Sequence, residues 1–159
     1  METINGLSLT EAAKEMADLT CELARICSQK EQHFASMFNI TPAEFRCLRL
    51  FTFKKQISIK EILQELVLTP GRITHILTSL EEKNFVTRSM DPTDKRNIIV
   101  ELTPRSEPFI KNIYESHINI HQEILEKIDV DKRDFILTSI QDLITALKSW
   151  NESKHSLMK

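Results

Sequence analysis

The sequence predicts a mainly α fold that contains one small β-hairpin. Apolar residues recur at helical spacing along most of the 159-residue chain. Glycine occurs only twice, a composition that favours helices joined by short connections. Two short runs rich in β-branched residues, 85–88 and 97–102, flank a turn that begins with Asp91-Pro92, as expected of a hairpin.

The first predicted helix runs from Ser8 to about Phe38. Ser8 and Glu11 form a candidate capping box, in which each side chain binds the backbone N–H of the other residue. A helix this long in a small protein usually packs against another subunit or spans the domain. Its apolar stripe consists of Leu9, Ala12, Ala13, Met16, Leu19, Leu23, Ile26 and Cys27.

A second predicted helix begins at Thr41, with Pro42 at its first position and Glu44 at its third. Residues 54–55, both lysine, are expected to close it. The next two residues, 56–57, are predicted to be extended, and they are candidates for a third strand that pairs with the hairpin.

Two short helices separated by a tight turn are predicted next. Ser58 and Glu61 form another candidate capping box at the start of the first of them. Thr69 is a suitable N-cap for the second, and Pro70 suits its first position because proline lacks the N–H that is unbonded there. Asn84 suits the left-handed conformation that ends such a helix. The apolar face of the second helix is Ile73, Ile76, Leu77 and Leu80.

The opposite face of this helix is polar, and it is followed by a hairpin with a cationic tip. Side chains that bind phosphates and base edges form the face: Arg72, Thr74, His75, Thr78 and Ser79. Lys95 and Arg96 lie at the tip, where a minor groove would attract them, and Asp94 is expected to orient Arg96. This order of elements predicts a winged helix-turn-helix that reads double-stranded DNA.

The stretch from Thr69 to Leu102 resembles the multiple-antibiotic-resistance regulator (MarR) family. The resemblance rests on the leucine-glutamate-lysine end of the second short helix, on the Asp94-x-Arg96 wing, and on Leu102-Thr103 before a long helix. It implies a homodimeric, ligand- or stress-responsive transcriptional regulator, usually a repressor of nearby genes. It also implies that Arg96 enters the minor groove and that the face at 72–78 enters the major groove.

Three positions depart from the pattern of that family. Asn84 and Ser106 stand where relatives frequently have glycine, and His75 stands where many relatives have arginine. Asparagine can adopt the same left-handed cap geometry as glycine.

Two further helices are predicted after the hairpin. The first starts at Thr103-Pro104 and reaches about Ile128, and Asp131 is expected to cap the second, which a polar tail at 151–159 follows. The apolar residues of the pair are Ile110, Ile113, Tyr114, His117, Ile120, Ile124, Leu125, Ile128, Phe135, Ile136, Ile140, Leu143, Ile144, Leu147 and Trp150.

The helices at both chain ends carry more apolar surface than one small winged domain needs. We therefore predict a two-fold dimer joined through helices at 8–38 and 104–150, within a single domain that spans 1–159. Residues 41–102 form the DNA-binding part. Two-fold symmetry suits a pseudo-palindromic operator, with the two reading helices about one DNA turn, roughly 34 Å, apart.

The charge of the chain limits how strongly it can bind DNA without sequence preference. The net charge is −2, so we expect a modest, salt-sensitive non-specific affinity. The predicted DNA contacts are Thr69, Arg72, Thr74, His75, Thr78, Arg88, Lys95 and Arg96, with Asp94 orienting the wing. A small-molecule effector in a cleft between the dimer helices and the winged part is a possible further partner.

The cysteines and histidines of the chain allow sensory roles. Cys21, Cys27 and Cys47 are odd in number, which argues against a disulfide framework; buried or inert thiols are favoured over oxidant sensors. His117 and His121 have metal-compatible i, i+4 spacing, but ordinary histidines are favoured and no metal site is predicted. No cofactor is predicted.

Several other classes of protein are disfavoured. Two glycines cannot build a glycine-rich phosphate loop, and G-x-S-x-G, H-E-x-x-H and C-x-x-C motifs do not occur, so we predict no enzyme and no catalytic residues. No signal peptide and no apolar run near the roughly 18–20 residues of a membrane span is found, so a cytoplasmic location is expected. The alternatives that stay open are a winged-helix protein-interaction module without DNA binding and a metal- or thiol-sensing regulator.

Overall fold

The chain folds into helices and a small antiparallel sheet, in agreement with the predicted class. The structure, a computed structural model, describes residues 3–4 and 6–157. The helices are α1 (Leu9–Met37), α2 (Pro42–Arg49), α3 (Ile59–Leu66), α4 (Pro70–Glu82), α5 (Glu107–Glu126) and α6 (Val130–Leu157). The strands are β1 (Thr3–Ile4), β2 (Leu7–Ser8), β3 (Gln56–Ser58), β4 (Val86–Met90) and β5 (Ile98–Leu102). None of the helices in the described ranges is long and apolar enough to cross a membrane.

Capping boxes start three of the helices, as the sequence predicts. In each box the hydroxyl of the N-cap residue accepts from the backbone N–H of the glutamate, and the glutamate accepts from the backbone N–H of the N-cap. The pairs are Ser8 with Glu11, Thr41 with Glu44, and Ser58 with Glu61. Thr69 is the N-cap of α4 by its backbone angles, but its side chain makes no capping hydrogen bond.

The three-stranded sheet has β5 at its centre, with β3 on one side and β4 on the other. Gln56 pairs with Glu101 on β5, which confirms the third strand, and Val86 pairs with Leu102 at the base of the hairpin. The segment that leads into α3 is therefore hydrogen-bonded to the hairpin that follows α4. This pairing ties the helix-turn-helix and its wing into one unit.

The core lies beneath α4, where apolar side chains from several elements meet. The rings of Phe34 on α1 and Phe45 on α2 are 4.9 Å apart, centroid to centroid, in an edge-to-face arrangement. The buried apolar side chains are Phe34, Ala35, Ile40, Phe45, Cys47, Leu48, Phe51, Ile57, Ile62, Ile73, Ile76, Leu77, Leu80, Val86, Val100, Ile110 and Ile113. The α4 residues among them are the apolar face that its spacing predicts.

The prediction that α2 extends to residues 54–55 is wrong. The helix ends at Arg49, because the backbone then changes to i→i−3 hydrogen bonds, from Leu50 to Cys47 (3.1 Å) and from Phe51 to Leu48 (3.0 Å). This tighter turn buries the ring of Phe51, which the periodicity assigned correctly to the core.

The start of α5 was also placed too early, at Thr103-Pro104. Thr103 closes the hairpin instead: its N–H donates to the carbonyl of Phe85 (3.1 Å) and its hydroxyl donates to the carbonyl of Asn84 (2.8 Å). A turn follows, and α5 begins at Glu107 with Pro108 in its first turn, where proline needs no N–H partner. Asn84 has φ +60°, the left-handed conformation that was expected of it.

The two chain ends differ in detail from the prediction. β1 and β2 form a short hairpin before α1 that the sequence did not suggest, with Thr3 paired to Ser8. α6 begins at Val130, so Asp131 lies inside its first turn and does not cap it. The predicted polar tail is helical as far as Leu157, and residues 158–159 lie outside the described part of the chain.

Two helices expose long apolar stripes on the isolated chain. Residues 1–114 and 115–159 form two compact units, with α1 in the first and α6 in the second. The exposed large apolar residues of α1 are Leu9, Met16, Leu19, Leu23, Ile26 and Met37, and those of α6 are Val130, Phe135, Leu137, Ile140, Ile144, Leu147 and Trp150. Such stripes are typical of surfaces that another chain covers.

Candidate nucleic-acid interface

The polar face of α4 is exposed, as the helical spacing requires when Ile73, Ile76, Leu77 and Leu80 are buried. Arg72, Thr74, His75 and Thr78 all lie on this outer surface. The hydroxyl of Thr74 donates to the carbonyl of Pro70 (3.0 Å), one turn earlier. Thr69 is exposed at the N-terminal end of the helix. The exposed face thus offers a cation, an imidazole and two hydroxyls to a partner.

One flank of α4 is fastened to the wing by Arg88 of β4. The Arg88 guanidinium donates to the Glu81 carboxylate and to the Thr78 hydroxyl (3.2 Å), and the Arg88 backbone N–H donates to the same carboxylate (3.0 Å). The bonds from Arg88 hold the pKa of Glu81 below its usual range. Arg88, which was predicted as a DNA contact, is therefore bound to other residues of its own domain.

The other flank of α4 is fastened to α2 by Glu44, whose side chain is only 2% exposed. One carboxylate oxygen accepts from the Ser79 hydroxyl (2.6 Å), and the other accepts from the Lys83 ammonium (2.8 Å) and from the Thr41 backbone N–H (2.7 Å). Sequence reasoning found Glu44 only as a cap of its own helix. The signal was the Thr41-x-x-Glu44 capping box, which gives no indication of the partners on α4.

The charge on Glu44 is favoured despite its burial. Burial raises the pKa of the carboxyl, but the hydrogen bonds from Lys83, Ser79 and Thr41 and the charge of Lys83 outweigh it, so the pKa lies below its ordinary value. Glu44 is thus a carboxylate at neutral pH, and every oxygen has a donor.

The stabilising contribution of Glu44 is expected to disappear in acid. Because the folded-state pKa lies below the unfolded one, the contribution is complete above about pH 5 and is lost as pH falls through the folded-state value. In urea denaturation the wild type should have a larger free energy of unfolding than Glu44→Gln near pH 7. This difference should narrow below about pH 4. A gap that stays constant over this range would contradict the assignment of a lowered pKa.

The tip of the wing is a compact loop held by its own side chains. Beyond the last strand pair, the Asp91 N–H donates to the carbonyl of Asn97 (3.0 Å). Asp94 accepts from the backbone N–H of Arg96 (3.0 Å) and from the side-chain amide of Asn97 (3.2 Å). Lys95 and Arg96 are exposed on this loop. Asp94 thus holds the backbone at Arg96, whereas the sequence argument had it orient the arginine as a charged partner.

A groove of about 520 Å³ runs between the start of α2 and the exposed side of α4. Arg72 and His75 line it from α4, and Arg46 lines it from α2. Arg46 also forms an ion pair with Glu31 of α1 (3.2 Å). Sequence spacing does not group Arg46 with the α4 face, because only the packing of α2 on α4 brings the two together.

A second cavity, of about 360 Å³, lies between the turn that follows α2 and the start of α5. The ring of Phe53, although largely exposed, packs edge-to-face on Tyr114 with centroids 5.6 Å apart. The walls are Phe51, Thr52, Phe53, Lys54, Lys55, Leu102, Glu107, Ile110, Lys111 and Tyr114. α1, one of the helices expected to line an effector cleft, does not contribute to it.

The cysteines and histidines occupy contrasting environments. Cys47 is buried, and burial followed by the nearby charge of Glu44 raises the pKa of its thiol to about 12, so it is unreactive in the folded domain. Cys21 and Cys27 are exposed on α1. The rings of His117 and His121 are 4.4 Å apart, but within the described residues no three His, Cys, Asp or Glu side chains are grouped to hold a metal ion.

Comparison with known proteins identifies relatives over most of the chain. The MarR family model matches residues 40–98, from just before α2 to the first residue of β5. The uncharacterized HTH-type transcriptional regulator YkoM of Bacillus subtilis is 25% identical over 118 residues, which cover 74% of this chain and 73% of that protein. The HTH-type transcriptional regulator MhqR of Bacillus subtilis is 30% identical over 91 residues, or 57% of this chain and 61% of that protein.

Solved structures share the fold at low sequence identity. A mutant MarR from E. coli, crystallised in complex with operator DNA, superposes with a TM-score of 0.70 and 21% identity, over 86% of this chain and 98% of that one. The family match covers the same α2-to-wing segment whose contacts fix α4 and the wing tip. Residues 40–98 therefore match the MarR family, and they carry most of the winged helix-turn-helix described above.

Proposed function

We propose that this protein is a DNA-binding transcriptional regulator that binds a pseudo-palindromic operator as a homodimer. Its relatives are named as transcriptional regulators, and a MarR that shares its fold was crystallised with operator DNA. As in many members of this family, the output is repression, which a small-molecule or stress signal relieves.

The observation that carries this proposal is the way the domain presents α4. Both flanks of the helix are fastened by buried or half-buried charged groups, Arg88 on one side and Glu44 on the other, while the face between them stays exposed. A helix that is rigidly held and polar on its outer face suits insertion into a major groove. In this reading Arg72, Thr74, His75 and Thr78 meet base edges or phosphates.

The remaining predicted contacts divide by their position. Lys95 and Arg96 at the wing tip approach the minor groove, with the loop shaped by Asp94. Thr69, at the N-terminal end of α4, contacts a phosphate, because the exposed backbone N–H groups of a helix start favour an anion. Arg88 acts mainly through α4, since its guanidinium is already bound to Glu81 and Thr78.

The exposed stripes of α1 and α6 supply the dimer contact. Met16, Leu19, Leu23 and Ile26 recur at helical spacing on α1, as do Leu137, Ile140, Ile144 and Leu147 on α6. Their burial between two copies removes apolar surface from water and fixes two α4 helices at one separation. That separation, about one turn of DNA, allows both to read successive major grooves.

The effector occupies the cavity between the turn after α2 and α5. A volume of about 360 Å³ lies in the usual range for small-molecule sites, roughly 300–1,000 Å³. A ligand there shifts the population toward dimers whose α4 helices are spaced wrongly for both grooves. The apolar part of the wall and the Phe53–Tyr114 ring pair favour a molecule with an aromatic or aliphatic body, and the lysines at 54, 55 and 111 suit a polar or anionic group on it.

Selection of duplexes from a randomised library by the wild-type protein tests the proposal. We expect recovery of a two-fold symmetric site within about 30 base pairs, bound with an affinity that falls steeply between roughly 50 and 200 mM salt. Fluorescence anisotropy against a scrambled duplex of equal length gives the specificity ratio. Recovery of no preferred sequence would favour the rival function, a winged-helix module that binds only proteins.

A further inference from the structure

We propose that Glu44 is a positioning residue for DNA recognition, which sets the rotation of α4 about its own axis and so aims the reading face. The inference rests on the proposed DNA-binding function and adds to it a residue that lies outside the predicted interface. Glu44 is buried on α2 and is not itself expected to touch DNA.

The capping box of Glu44 differs from that of Glu61 in the same unit. Glu61 caps α3 in the same way, but it stays at the surface, where its further partner is Lys54 (3.5 Å). Glu44 caps α2 and also reaches across to α4, where it binds Ser79 and Lys83. One carboxylate therefore joins the start of one helix to the last turn and the C-cap of another.

Ser79 and Lys83, the partners of Glu44, belong to a row of side chains along α4. Arg72, Ile76, Ser79 and Lys83 follow one another at spacings of four, three and four residues, so they share one side of α4. Any rotation of the helix that moves Ser79 and Lys83 away from Glu44 must also turn Arg72 and its neighbour His75. The Glu44 contacts and the orientation of the reading face are thus mechanically coupled.

The contacts of Glu44 with Ser79 and Lys83 are directional. The buried face of α4 is apolar, and hydrophobic contact depends on area with little dependence on angle. Charge-assisted hydrogen bonds require both distance and alignment. Lys83 is held further by the carbonyl of Asn39 (3.4 Å), in the turn between α1 and α2. The polar contacts of Glu44 and Lys83 therefore orient this flank of α4, as those of Arg88 orient the other flank.

The variant Glu44→Gln keeps the size of the side chain but removes its charge. The amide NH₂ then faces donors from Ser79, Lys83 or Thr41, and the ammonium of Lys83 loses its carboxylate. We expect affinity for the selected duplex to fall about tenfold, comparable to the loss of one base contact, while affinity for the scrambled duplex changes little. Ser79→Ala should give a smaller loss of the same kind.

The experiment measures both affinities on folded protein, with concentrations taken from stoichiometric titration of the duplex. Glu61→Gln serves as the matched control, because it removes a capping carboxylate that does not reach α4. A purely structural role of Glu44 would lower the melting temperature and leave the specificity ratio of the folded protein unchanged. Glu44→Gln should instead lower that ratio, and Glu61→Gln should not.

Non-additivity provides the second readout. If Glu44 acts through Ser79, adding Ser79→Ala to Glu44→Gln should cause almost no further loss of specific affinity. Additive losses, or an unchanged specificity ratio in Glu44→Gln, would overturn the inference while leaving the proposed function intact. If Glu44→Gln does not fold, an unchanged ratio in Ser79→Ala overturns it. Failure of the wild type to select any duplex would instead remove the proposed function itself.

Discussion

Ile144→Glu is expected to convert the protein to monomers and to lower its affinity for the selected duplex by roughly 100-fold or more. Ile144 is 46% exposed on the isolated chain, so a glutamate there costs a monomer little. In the proposed dimer the same carboxylate would be buried against apolar side chains without a partner, which is strongly unfavourable. Each monomer would then bind only one half of the operator, and it would lose the gain in affinity that a second, linked half-site provides.

Size-exclusion chromatography with light scattering measures the first effect, with a change from twice 18.5 kDa to 18.5 kDa. Ser149→Glu is the matched control, because it places the same charge on the same helix at an exposed position on the side away from the apolar stripe. A dimer that survives Ile144→Glu, or a wild type that is already monomeric, would show that the α6 stripe serves another purpose.

Arg96→Ala is expected to weaken binding of the selected duplex by about 1–3 kcal/mol. The arginine sits at the exposed tip of the wing, on a loop that Asp94 and Asp91 shape through backbone hydrogen bonds, so its removal should leave the fold intact. The loss arises because a guanidinium in the minor groove gains from the negative potential there. Unchanged affinity in fluorescence anisotropy would exclude the wing tip from recognition.

Arg105→Ala is a suitable control for Arg96→Ala, since it removes an equal charge at an exposed position after the hairpin. Arg72→Ala, on α4, should also weaken binding, and in addition it should change the sequence that is recovered on selection. The contrast follows because a side chain in the major groove reads base edges, whereas a minor-groove arginine distinguishes mainly groove width and A·T content.

The sequence predicted those parts of the fold that local chemistry decides. Capping boxes at Ser8, Thr41 and Ser58 marked three helix starts, and the apolar rows of α4 identified its buried face correctly. Asn84 was correctly expected to be left-handed. In each case the determining hydrogen bonds or apolar contacts lie within a few residues of one another, so a single stretch of sequence contains the information.

The misplaced boundaries arose where distant partners override the local pattern. Thr103 before Pro104 resembles a helix start, but its N–H and hydroxyl bind the carbonyls of Phe85 and Asn84, some twenty residues earlier. The lysines after α2 resemble a helix end, but burial of Phe51 in a tighter turn ends the helix sooner. Sequence spacing cannot reveal such contacts, because tertiary packing creates them.

The same distinction separates the site residues. The exposed positions of α4 followed from periodicity alone, and the exposed tip followed from the turn signals. The roles of Glu44 and Arg88 did not, because each binds side chains on another element: Ser79 and Lys83 in one case, Glu81 and Thr78 in the other. Arg88 was predicted as a DNA contact, and only the folded arrangement shows its intramolecular partners.

Cys47 gives the domain a built-in chemical reporter of its own opening. Its thiol lies in the core between α2 and its neighbours, and its pKa of about 12 keeps it protonated. Alkylating reagents therefore modify Cys21, exposed on the side of α1 away from its apolar stripe, at once, whereas Cys47 reacts only in molecules whose interior has been transiently exposed. The rate of the slow labelling phase then measures how often the core around Cys47 opens. The measurement uses the intact chain and needs no attached dye.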